Sequence, residues 1–68
     1  MMPFEVGEIL RLVEDLGRFR AGEFFVFLEV NKELGYPVLL TPDGKRAAVP
    51  TGYLQRWRED GGWCTTAP

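Results

Sequence analysis

The sequence has no histidine, a single cysteine at Cys64, no marked excess of charge of either sign and no long apolar run. With one thiol no disulfide forms within the chain, and without histidine that thiol cannot complete a structural zinc site. Cys64 also lacks the imidazole base that most often activates a nucleophilic cysteine, which makes an incidental thiol the simpler reading. No stretch approaches the roughly 20 apolar residues needed to span a bilayer. The start of the chain, Met1, Met2, Pro3, Phe4 and Glu5, shows neither the basic region nor the apolar segment of a signal peptide, so a cytoplasmic location is expected. The net charge of −2 argues against broad, salt-driven attraction to nucleic acid or to an anionic membrane. There is no phosphate-binding glycine loop and no catalytic motif, so the expectation is a protein without cofactor or enzymatic activity.

What is present is an ordinary folding composition in 68 residues, 46% hydrophobic and 26% charged, enough for one small core and not for a deep enzyme cleft. The expected organisation is one domain over residues 1–60 and a flexible C-terminal tail over 61–68. Residues 4–17 carry two periodicities. Val6, Ile9, Leu10, Val13 and Leu16 fall at helical spacing, while the run from Ile9 to Val13 also fits a strand. Gly7 and the lack of an N-terminal capping residue count against the helix.

The rest reads as strands and turns. Residues 17–22 form a glycine-bounded loop with Phe19 between Arg18 and Arg20. Residues 23–30 are the strongest strand in the chain, rich in aromatic and β-branched side chains. A polar turn over 31–35 leads to a partner strand over 36–41. Pro42, Asp43 and Gly44 then supply turn chemistry ahead of a strand over 45–49. Pro50 ends that strand, and residues 51–57 read as a helical turn carrying Tyr53 and Trp57 on one face.

Val6-Gly7-Glu8, the run from Leu10 to Asp15, Phe19 to Glu23, Val26 to Val30, Asp43-Gly44 and Val49-Pro50 together resemble small prokaryotic barrel proteins of the Src-homology-3-like (SH3-like) class. The likeness spans residues 6–57. It implies a mainly β fold: a small SH3-like barrel of about five antiparallel strands with a short helical turn near the C-terminus, and it favours the strand reading of the first segment. Phe24-Phe25-Val26 stands where such proteins commonly open a strand with a Gly-Thr-Val type of sequence. Pro50 and Tyr53 match the last-strand region of peptide-binding SH3 domains. Those domains' paired tyrosines and adjacent tryptophans are absent, so polyproline recognition is not implied.

The functional expectation is a non-catalytic protein-interaction module or small subunit of a larger complex, with a protein partner or a second copy covering exposed aromatic surface. Phe25, Phe19, Tyr53 and Trp57 are the expected contacts, with Arg18 and Arg20 as charged anchors. The alternative is a nucleic-acid-binding barrel using Arg18, Arg20 and the basic edge at Arg56. Tyr53, Trp57 and Phe19 have a plainer reading, in which Tyr53 and Trp57 seal the barrel and Phe19 plugs it from the loop.

Overall fold

The computed structural model describes residues 4–66; Met1, Met2 and Pro3, together with Ala67 and Pro68 of the expected tail, lie outside the described residues. Six strands form one antiparallel sheet: β1 (Ile9–Leu12), β2 (Phe24–Val30), β3 (Pro37–Leu40), β4 (Arg46–Ala48), β5 (Leu54–Arg58) and β6 (Gly62–Thr65). A one-turn 3₁₀ helix, Thr51–Tyr53, precedes β5. The strand order is β4-β3-β2-β1-β5-β6, so the first strand lies in the middle and β4 and β6 are the two edges. The sheet does not close on itself. Among the described residues no helix is long and apolar enough to cross a membrane.

The first segment is a strand because Gly7 takes a positive φ of 89°, a conformation outside the helical region that glycine adopts without a Cβ penalty. That turn directs the chain alongside β2. Gly7 donates its amide to the Phe27 carbonyl at 2.8 Å, and Phe27 donates back to Glu8 at 2.8 Å. The ladder continues with Ile9 opposite Val26, Leu10 opposite Phe25 and Arg11 opposite Phe24.

Alternation along β2 then decides what is inside. Phe25 and Phe27 are buried, whereas Phe24 is exposed, because successive side chains of a strand point to opposite faces. The core is completed by Phe4, Leu10, Leu12, Leu39, Val49 and Leu54. Phe4 packs against Phe27 with ring centroids 5.5 Å apart, and Phe19 meets Phe25 edge-on at 5.1 Å. A shift of register between Phe27 and Glu29 lets β2 turn away from β1 and carry β3 along its second half.

Three features differ from the sequence expectation. Phe25, expected as an outward contact, is 1% exposed and belongs to the core. The helical turn is shorter than residues 51–57: it ends at Tyr53, and Trp57 stands in β5, so the two rings do not share a helix face. Within the segment 61–68, expected as a tail, Gly62–Thr65 pair along β5 as a sixth strand, with Trp63 opposite Trp57. Gly62 has a φ of 68°, which turns the chain back into that hairpin.

The opposite placement of two adjacent phenylalanines is directly testable. Phe25→Ala is expected to destabilise the fold by about 3–5 kcal/mol, whereas Phe24→Ala is expected to stay within about 1 kcal/mol of the parent. Urea unfolding of the two variants measures both. Equal losses would contradict the assigned register.

Candidate functional site

The register places an apolar row across the outer face of the sheet. Val26 sits between Leu40 and Ile9, and Trp57 faces Trp63. Extending the β1–β5 pairing, in which Leu10 lies opposite Arg56, sets Trp57 beside Ile9. Leu40, Val26, Ile9, Trp57 and Trp63 thus cross five strands in line. Ile9 is 55%, Trp57 59% and the flanking Phe24 54% exposed, values unusual for large apolar side chains gathered in one place.

At the Ile9–Trp57 end of this row lies a shallow groove of about 620 Å³, lined by Gly7, Glu8, Ile9, Phe24, Trp57 and Trp63. Trp63 spans its width: its ring centroid lies 5.6 Å from that of Phe24 on β2 and 5.6 Å from that of Trp57 on β5. The Arg11 guanidinium is 5.8 Å from the Trp63 ring centroid. Indole and phenyl rings offer large, rigid contact area with little rotamer entropy to lose, which suits them to recognising another surface.

The expected contact residues are distributed differently. Trp57 lies in the groove. Tyr53 and Phe19 are partly buried and pack against the core. Arg18 lies over the Phe19 ring at 4.6 Å and reaches Asp43 at 3.1 Å, while Arg20 reaches Asp15 at 3.2 Å. These two pairs fasten the 17–22 loop to neighbouring turns. Arg56 is held by Glu8 through two hydrogen bonds of 2.9 and 2.8 Å and lies 5.5 Å from the Phe4 ring. It ties the turn before β1 to β5, so the basic edge expected there is charge-compensated. Ile9, Arg11, Phe24 and Trp63 join the site without having been expected in it; the alternation of β2 and the cost of an unburied indole are the sequence signals that bear on them.

The comparisons add no relative: no family model, curated protein or solved structure matches this chain. Among the described residues no three His, Cys, Asp or Glu side chains converge as a metal site. The acidic residues at the loops have structural partners. Asp15 accepts a hydrogen bond from the Ala21 amide at 2.8 Å, and this bond, with a smaller part from Arg20, holds its carboxyl below the ordinary aspartate value. Asp43 is lowered as well, chiefly by the Thr41 hydroxyl, with Arg18 and Lys45 assisting.

Because both carboxyls titrate lower in the folded chain than in the unfolded one, their contribution to stability is complete above the ordinary value near pH 4 and is lost as pH falls through the lower folded value. Asp15→Asn keeps an oxygen for the Ala21 amide and removes the titration. Urea midpoints of this variant are expected to fall less steeply than the parent's between about pH 4 and pH 2. A parallel acid limb in the two proteins would show that Asp15 does not contribute.

Proposed function

We propose that the chain is a small SH3-like barrel acting as a non-catalytic protein-interaction module or small subunit of a larger complex, and that its working surface is the outer aromatic groove. The fold part of this reading is supported by the meander β4-β3-β2-β1-β5, the 3₁₀ turn before β5, and the long β2 that serves β1 at one end and β3 at the other. The groove carries the functional part. A single exposed indole is ordinary on a small protein, but Ile9, Phe24, Trp57 and Trp63 lie together on a face that nothing else in the described chain covers. Burying such a patch against a partner removes apolar area from water at about 25 cal/mol per Å² before the costs of association.

The ion pairs favour a protein over a nucleic acid. Arg18, Arg20, Arg46, Arg56 and Arg58 each have a carboxylate within 4.0 Å. The basic loop and edge that a phosphate backbone requires are therefore already compensated within the chain.

Affinity capture from native lysate separates the readings. The parent protein is expected to recover a discrete protein partner that resists nuclease, and Trp57→Ala is expected to lose it while unfolding at nearly the same urea concentration. Recovery of nuclease-sensitive material, or a partner retained equally by Trp57→Ala, would count against the groove as the protein-binding surface.

A further inference from the structure

Resting on the reading of the groove as a protein-binding surface, we infer that its partner is a peptide segment carrying a carboxylate flanked by apolar side chains, the carboxylate meeting Arg11. Of the arginines, Arg11 alone has no carboxylate within salt-bridge distance among the described residues. It is also the one set on the outer face of the central strand, with Phe24 opposite it on β2 and Gln55 opposite it on β5. Its guanidinium lies over Trp63, partly buried, which orders the side chain while leaving its hydrogen bonds to be made. A cation held over an indole ring is poorly hydrated once a partner covers it. Covering this face without supplying an anion costs the desolvation of that charge; supplying one turns the cost into a charge-assisted pair.

The same charge inventory separates this occupant from the others. A second copy of the face brings a second Arg11. The only acidic residue lining the groove among the described residues, Glu8, has its carboxylate committed to Arg56 on the inner side of the sheet, so a symmetric contact leaves both cations uncompensated. A nucleic acid finds one unpaired arginine, Arg11, beside the groove, too few for appreciable counterion release. An acidic-apolar peptide matches both the lone positive charge and the apolar floor formed by Ile9 and Trp57. Specificity then comes from Arg11, which disfavours a basic segment, and apolar contact from the rings.

The test is a display library of random peptides of about a dozen residues, panned separately on the parent protein, Arg11→Gln, Arg11→Glu and Arg11→Lys. The strongest parent binders are then synthesised with their acid intact and as the amide. Parent binders are expected to carry Asp or Glu between apolar residues and to lose about tenfold in affinity on Arg11→Gln. The amide peptides are expected to show the same loss, with little further effect of combining the two changes. Arg11→Glu is expected to select Lys or Arg at the acid's place, and Arg11→Lys to retain the acidic preference, which separates charge recognition from a packing change.

Binders without acids, or binders indifferent to Arg11→Gln yet lost on Trp57→Ala, would overturn the carboxylate inference and leave the groove as the contact surface. Binders indifferent to Trp57→Ala and Ile9→Ser, or the recovery of no binder at all, would overturn the groove reading as well. A concentration-dependent dimer in light scattering that Trp57→Ala abolishes would give the face to a second copy and overturn the inference.

Discussion

The pairing of β1 with the first half of β2 fixes which half of the hydrophobic content is hidden and which is displayed. With Leu10 opposite Phe25, the side chains of Leu10, Leu12, Phe25 and Phe27 point to one side and make the core; Ile9, Phe24 and Val26 point to the other. A slip of one residue would exchange the two sets. Nothing in the composition of the segment 24–28 prefers one set strongly, since both faces are apolar. The choice is made by the neighbours: Phe4 and Phe19 supply aromatic contacts to Phe27 and Phe25 on the inner side, and Leu39, Val49 and Leu54 fill the space around them. In a domain of this size, where the net stability is a small remainder of large opposing terms, that asymmetry of packing is decisive.

From this register the groove follows. Because β1 lies between β2 and β5, its outward Ile9 sits between Val26 and Trp57, and the β5–β6 hairpin brings Trp63 over the same face. The electrostatic arrangement supports the geometry. Glu8 and Arg56 clamp the turn before β1 to β5, and the paired arginines of the 17–22 loop hold that loop to the turns containing Asp15 and Asp43. The two loop pairs, being exposed, contribute little stability individually. The larger consequence of the ion pairs together is that, among the arginines of the described residues, they leave Arg11, beside the groove and over Trp63, as the one without a carboxylate partner.

Much of this architecture is legible in the residues. The aromatic and β-branched run at 23–30 and the partner strand ending before Pro42-Asp43-Gly44 appear close to their expected places, and the helical turn after Pro50 starts where expected though it ends at Tyr53, because each rests on local chemistry: β propensity, turn dihedrals and the ring of proline. What is not legible depends on contacts between distant segments. The inward face of β2 is open in the sequence because Phe24, Phe25, Val26 and Phe27 are all apolar, and only pairing with β1 distinguishes Phe25 from Phe24. Trp63 looks like part of a tail because Gly61 and Gly62 precede it and Thr65 and Thr66 follow; its strand is formed by pairing with β5. The roles of Arg18 and Arg56 are hidden for the same reason, since Asp43 and Glu8 reach them across 25 and 48 residues of sequence.

The central claim is that this protein meets its partner through the outer face of the sheet and not through the Phe19 loop or the Tyr53 turn. Site-specific photo-cross-linking in the native cell tests it whatever the partner's identity. A photoreactive phenylalanine analogue in place of Phe24 is expected to give a discrete adduct on irradiation, and the same analogue in place of Tyr53 or Phe19 is expected to give none. Adducts from the Phe19 or Tyr53 positions, with none from Phe24, would contradict the account.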